Sequence, residues 1–138
     1  MKITLWNLQK RVPVRAQKIK KLIQRVLKTE KVKETGWINI CFVDNAQIKK
    51  LNARFLKHSS PTDVLAFDLA DKKAKGIIWA EIMISAQAAY QQARSFNTTA
   101  EYELSLYVVH GILHILGYDD RSPKDKKLMR KKEGQYVH

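Results

Sequence analysis

The amino-acid sequence predicts one α+β domain, a layered unit with a sheet of about four strands and four to five helices. Two observations predict this fold. Short β-prone runs are interleaved with helical segments along all 138 residues, and the composition, 45% hydrophobic and 28% charged, is that of a globular chain. A chain of this length can bury a sizeable core, so we assign residues 1–138 to a single domain. The order of the strands in the sheet does not follow from the sequence.

The periodicity of apolar residues places the individual elements. Alternating or continuous apolar runs predict strands over 2–8, 37–43, 62–67 and 77–84. One-sided apolar stripes and turn signals predict helices over 14–29, 45–55, 86–95, 99–116 and 124–134. Asp44 is predicted to cap the second helix, and Thr98 with Glu101 matches a capping box at the start of the fourth. The three tryptophans lie in predicted strands, where we expect core packing.

The net charge of +13 is concentrated at the two ends of the chain. Residues 1–43 carry a net charge of +9 and residues 121–138 one of +5, whereas residues 44–120 are near neutral at −1. An excess this large and localised is typical of a protein that binds a polyanion. The first helix has no bulky aromatic anchor for a bilayer, so we expect nucleic acid as the partner and no membrane.

Other features of the chain favour a cytoplasmic protein. The single cysteine, Cys41, cannot form an intramolecular disulfide. The first residues contain no apolar signal-peptide core, and the longest apolar-rich stretch, 104–117, is too short to span a bilayer. We therefore expect a cytoplasmic location, while the oligomeric state does not follow from the sequence.

The segment from His110 to Asp120 contains the candidate metal-binding residues. Two histidines four residues apart on a helix present their imidazoles side by side, so both can bind one metal ion. Gly117 ends the helix three residues after His114, and the chain can then turn back to deliver Asp119 or Asp120. The spacing favours Asp120. We predict one divalent transition metal, zinc in the first instance, at the carboxyl end of a central helix, rather than a pair of buried structural histidines.

The same spacing resembles that of zinc metalloproteases, with one difference. Those enzymes carry a general-base glutamate directly after the first histidine, and this chain has Gly111 there. Peptide hydrolysis would lack its proton acceptor. The motif therefore predicts a metal site but not a protease.

The segment 110–120 resembles the signature of the YbeY family of ribosomal-RNA maturation endoribonucleases, His-Gly-x-Leu-His-Leu-x-Gly-Tyr-Asp-His. Leu51-Asn52 with Phe55, the run 61–67 and the run 77–85 are similar to further family motifs. The resemblance implies a zinc-dependent endoribonuclease that cuts single-stranded RNA in ribosomal RNA maturation and ribosome quality control. It implies ribosomal RNA and the ribosome as partners, and no small-molecule cofactor beyond the metal.

The resemblance also implies the site residues and shows two departures. His110 and His114 correspond to family ligands, whereas the family's third histidine falls on Asp120, which completes the expected catalytic and metal-binding set. The family's phosphate-holding arginine falls on Leu56. We therefore assign substrate binding to neighbouring polar residues of the same region, namely Arg54, Lys57, His58, Thr62 and Asp63.

Two functions remain open on the sequence. The first is a metal-dependent endoribonuclease. The alternative is a protein that binds RNA or the ribosome and keeps a structural or vestigial metal site with little nuclease activity, as the departures at Leu56 and Asp120 would allow. The spacing shared with metalloproteases keeps a third function open, metal-dependent hydrolysis of another substrate.

Overall fold

The computed structural model describes residues 1–56, 63–71, 73 and 75–138, with 51–56 described only as helical backbone. Within these residues the elements follow the predicted order: β1 (Lys2–Asn7), α1 (Ala16–Thr29), β2 (Thr35–Val43), α2 (Asn45–Leu56), β3 (Val64–Asp68), β4 (Ile77–Ser85), α3 (Ala86–Phe96), α4 (Ala100–Ile115) and α5 (Pro123–Tyr136). The predicted start of the third strand at Thr62 lies outside the described residues. Among the described helices, each is too short or too polar to cross a bilayer.

The four strands form one sheet in the order β1-β2-β4-β3. β1, β2 and β4 are parallel, and β3 pairs with β4 in the antiparallel direction. Parallel neighbours need a crossover, which α1 provides between β1 and β2. The fold is thus α+β, as predicted.

One face of the sheet forms the main core. Alternation along β2 and β4 places three fully buried residues of each strand on this face: Ile38, Ile40, Phe42, Ala80, Ile82 and Ile84. α1 and α4 cover them, and α4 contacts α1, α3, α5, β3 and β4. The predicted central helix is therefore α4, and its rigid packing fixes the side chains that it carries.

The opposite face of the sheet is only partly covered among the described residues. A small cluster of Val43, Ile48 and Leu65 packs under α2. Trp6, beside Cys41, is 55% exposed on this face, and Trp37 and Trp79, toward the other end of their strands, are 49% and 45% exposed. The expected core packing of the tryptophans is therefore wrong, because their positions alternate with the buried residues and point away from the main core.

The predicted helix caps are confirmed at α2 and shifted by one residue at α4. Asp44 Oδ1 accepts a hydrogen bond from the Gln47 amide at 2.8 Å, and Gln47 Oε1 accepts one from the Asp44 amide. At α4 the capping oxygen belongs to Thr99 instead of Thr98, and it accepts from the Tyr102 amide. The predicted capping box is wrong because the Thr98 amide closes the turn after α3, while Glu101 bonds to Lys18.

Candidate metal centre

The carboxyl end of α4 presents His110 and His114 from consecutive turns. The neighbouring residues Val109, Ile112 and Leu113 are buried and hold this end of the helix in the core. Gly117 follows with φ +103°, the left-handed conformation that favours glycine, and the Tyr118 amide donates to the Leu113 carbonyl at 3.0 Å. The chain turns back after α4 and returns toward the histidines.

The turn brings Asp120 to both imidazoles. Asp120 Oδ2 lies 3.5 Å from His110 Nε2 and 3.5 Å from His114 Nε2. The two Nε2 atoms lie 3.1 Å apart. These three atoms form a compact cluster that can hold a metal ion. The structure thus assembles the three residues that the spacing predicted.

The dimensions of the cluster match a four-coordinate site. Ligand atoms about 2.0–2.1 Å from a tetrahedral zinc lie roughly 3.3 Å from one another. The observed separations of 3.1, 3.5 and 3.5 Å bracket that value. Two imidazole nitrogens and one carboxylate oxygen suit zinc and leave the fourth position for water or substrate, as in catalytic sites. The residues present therefore fit a catalytic metal.

Glu133 of α5 supports the first histidine from outside the cluster. Its Oε1 lies 2.6 Å from His110 Nδ1, and its side chain is only 17% exposed. When Nδ1 donates its proton to this carboxylate, the neutral imidazole keeps its lone pair on Nε2, the atom that faces His114 and Asp120. Sequence reasoning missed Glu133 because it lies 23 residues after His110. The available signal was that Glu133 is one of two acids in a basic helix.

Asp119 is oriented away from the imidazoles. Its Oδ2 pairs with Arg121 Nε at 3.3 Å, and its Oδ1 accepts a hydrogen bond from the Asp120 amide at 2.8 Å. The sequence allowed Asp119 to bind the metal or to orient a histidine. In the structure Glu133 contacts His110, while Asp119 stabilises the loop that carries Asp120.

Gly111 shows why this site cannot use a glutamate after the first histidine. A Cβ atom at this position would lie 2.8 Å from Ile82 Cγ2 and 3.3 Å from Val64 Cγ1. At position 111 the backbone of α4 therefore lies close to the sheet, and a long side chain there would prevent the helix from packing against β3 and β4. The glycine serves helix–sheet packing, which agrees with the prediction that the motif is not that of a protease.

A cavity of about 390 Å³ opens over the cluster and includes Asp63 and Tyr107 beside both histidines. Burial raises the pKa of the Asp63 carboxyl, while the nearby His110 acts in the opposite direction. The Tyr107 hydroxyl is buried without a hydrogen-bond partner in the described part of the chain, and burial together with Asp63 and Glu103 raises its pKa. Sequence reasoning missed Tyr107, since one tyrosine on a helix gives no signal.

The structure locates only one of the predicted substrate-binding residues. Asp63 lies in the cavity next to His110. Arg54 belongs to α2, and its side chain is outside the description. Lys57, His58 and Thr62 lie outside the described residues. Their assignment to substrate binding stays a prediction.

A buried carboxylate ties α5 to the remainder of the site. The Glu30 side chain is 8% exposed and accepts hydrogen bonds from the hydroxyls of Tyr118 and Tyr136 and from Lys132 Nζ at 3.1 Å. Burial raises the pKa of Glu30, but these three hydrogen bonds outweigh it and the net pKa is lowered. Since Lys132 precedes Glu133, this network holds the helix that supports His110.

The chain resembles known proteins along nearly its whole length. A family model described as Endoribonuclease YbeY matches residues 4–138. A protein named endoribonuclease YbeY from Chlamydia abortus is 37% identical over 140 residues, covering 98% of this chain and 88% of that protein. Another with that name, from Syntrophus aciditrophicus, is 32% identical and covers 96% and 86%. A solution structure from Thermotoga maritima superposes with a TM-score of 0.61 at 32% identity, covering 99% of this chain and 87% of that one.

The fold and the site together define a small α+β protein with a candidate catalytic metal centre on its central helix. The matches over nearly the full length identify the family. This chain belongs to the YbeY endoribonuclease family.

Proposed function

We propose that this protein is a zinc-dependent endoribonuclease that cuts single-stranded RNA. We further propose that it acts in the cytoplasm in ribosomal RNA maturation and ribosome quality control, with one zinc ion per chain. Membership of an endoribonuclease family supports RNA as the substrate class. The observation that carries the proposal is the cluster of His110, His114 and Asp120, whose three facing atoms have the separations of zinc ligands and open onto a cavity.

The distribution of charge supports a polyanionic substrate. The two basic ends of the sequence are neighbours in the fold, because α1 contacts α5. Arg25 of α1 donates to the Tyr136 carbonyl of α5, and Lys132 of α5 pairs with Glu30 at the end of α1. Lysines and arginines that are far apart in the sequence thus lie on two neighbouring helices, from which they can contact phosphates of one RNA strand.

Each residue of the site has a role in the proposed reaction. His110, His114 and Asp120 would hold the zinc, and Glu133 keeps the His110 proton on Nδ1. When bound, the ion supplies a Lewis acid for the phosphodiester and lowers the pKa of water. Asp63 lies where a carboxylate can accept a proton from the attacking hydroxyl group, whether this belongs to water or to ribose. The Tyr107 ring lines the same cavity.

The proposal is tested by zinc content and RNA cleavage together. We expect about one zinc per purified chain by elemental analysis, and cleavage of a single-stranded RNA that stops on adding a chelator and resumes with zinc. His110→Ala and His114→Ala should lose both zinc and cleavage while keeping the wild-type circular dichroism spectrum. Asp125→Ala is the matched control, since this acid of α5 does not line the cavity over the cluster.

Two results would overturn the proposal. Cleavage that persists in chelator, or in both histidine variants, would come from another site or a contaminant. Tight RNA binding with zinc present but without cleavage would instead identify an RNA-binding protein with a vestigial metal site, the alternative that the sequence left open.

A further inference from the structure

A second cavity adjoins the metal cluster on the side of α5. It has a volume of about 290 Å³ and is lined by His110, Asp120 and Glu133 together with three residues of α5: Lys126, Met129 and Arg130. The first three residues also line the cavity that contains Asp63 and Tyr107. The metal cluster therefore borders two neighbouring cavities. Among the side chains that the structure describes, lysine and arginine line the cavity at α5 and not the other one.

The helical period directs two cations into this cavity. Lys126 and Arg130 are four residues apart and share one face of α5. Met129 is buried and anchors the helix in the core, which fixes the direction of that face. Within the part of the chain that the structure describes, neither Lys126 nor Arg130 takes part in a salt bridge.

The carboxylates of the cavity have other partners. Asp120 faces the two Nε2 atoms, and Glu133 contacts His110 Nδ1. A divalent ion held by the cluster would offset both carboxylates. Lys126 and Arg130 would then be the cations of the cavity left without an anionic partner.

We infer that Lys126 and Arg130 form a phosphate-binding subsite that holds the RNA strand next to the metal centre. This inference deepens the proposed function and rests on it. Cβ atoms four apart on a helix are about 6 Å from each other, so both side chains can reach one phosphate group. Arginine offers a planar fork of donors that matches two phosphate oxygens, and lysine adds a mobile point charge.

The same helix offers a matched control pair. Lys127 and Lys131 have the same spacing as Lys126 and Arg130, and all four side chains are exposed. Lys127 and Lys131 do not line the cavity. Neutralising either pair removes the same charge from the same element, so the two double variants differ only in the face of α5 that is changed.

The test measures binding of a fluorescein-labelled single-stranded oligouridylate by anisotropy across a range of salt concentrations. It is run on full-length protein, both with chelator and with zinc. Each phosphate contact contributes about 0.7 to the log–log salt slope, which is about fivefold in affinity at about 0.1 M salt. Because the two side chains share one phosphate, we expect Lys126→Gln with Arg130→Gln to flatten the slope by about 0.7 and to weaken binding about fivefold. Lys127→Gln with Lys131→Gln should change affinity by roughly twofold, through long-range attraction alone.

Zinc content and melting temperature verify that both double variants keep the fold and the metal centre. Equal losses in the two pairs would show that α5 attracts RNA only through its overall charge, and no loss in either pair would show that it does not hold the strand. Each result overturns the subsite. RNA cleavage by wild-type protein is measured separately, so a chain that binds through Lys126 and Arg130 without cutting refutes the proposed nuclease and leaves the subsite standing.

Discussion

Glu133 provides the sharpest test of the metal centre because it touches one ligand and not the ion. Replacing it with alanine removes the 2.6 Å contact to His110 Nδ1 and leaves His110, His114 and Asp120 in place. Loss of such a supporting carboxylate typically weakens metal binding ten- to hundredfold, or about 1.4–2.8 kcal/mol. We therefore expect Glu133→Ala to bind one zinc with an affinity reduced by that factor. Glu133→Gln should lose less, since its amide oxygen still accepts the bond without a charge.

The assay is competition for zinc against a chromophoric chelator of known affinity. Asp125→Ala is the control: it removes the other acid of α5, which does not line either cavity at the metal cluster. Its expected cost is a small loss of stability, about 0.3–1 kcal/mol, from the helix dipole. Wild-type zinc affinity in Glu133→Ala, in a protein with an unchanged melting curve, would refute the argument that this carboxylate positions His110.

Three further predictions follow from the same geometry. Asp120→Ala should weaken zinc binding more than Glu133→Ala does. Asp119→Ala should weaken it less than Asp120→Ala, because Asp119 contacts the loop and not the imidazoles; the reverse order in the chelator assay would mean that Asp119 is the ligand. Tyr107→Phe removes a buried hydroxyl that has no hydrogen-bond partner among the described residues. The free energy of unfolding in denaturant titrations should therefore rise by up to about 1–3 kcal/mol. A lower free energy of unfolding would reveal a hydrogen bond to that hydroxyl. Glu30→Gln should cost about 1.5–3 kcal/mol at neutral pH. Because folding lowers the pKa of Glu30, this carboxylate stabilises the folded protein fully above its unfolded pKa, and the stabilisation disappears as the pH falls through its folded pKa. The free energies of unfolding of wild type and variant should therefore converge in acid. A difference that stays constant with pH would contradict this.

Much of the fold could be predicted because its signals are local. The alternation along β2 and β4 and the apolar stripe of α1 place the strands and helices within a few residues of their observed bounds. The cap at Asp44 is likewise set by neighbouring residues. The shift from Thr98 to Thr99 at α4 shows the limit, since both residues can cap and the turn after α3 decides between them.

The exposed tryptophans illustrate a different limit. In the sheet Trp37 and Trp79 are neighbours in register, and their rings are in edge-to-face contact at 6.3 Å. The alternation within each strand does not predict which face is covered, because that depends on where helices distant in sequence pack. The sequence therefore supported the strands but not the core packing of these two side chains.

The sequence by itself determined the centre of the site. The helical period puts His110 and His114 on one face, Gly117 ends the helix, and the short loop that follows keeps Asp120 within reach, all within eleven residues. Dihedral preferences and hydrogen bonds between near neighbours are enough to bring these residues together.

Only the tertiary structure decided what surrounds that centre. The packing of α5 and β3 against α4 decides three features of the site. It brings Glu133 to His110, places Asp63 in the cavity, and determines which face of α5 presents Lys126 and Arg130. The choice of Asp120 over Asp119 depends on the path of the loop after Gly117, where Arg121 takes up the other carboxylate. Such distances result from the burial of apolar faces along the whole chain, so no local spacing encodes them.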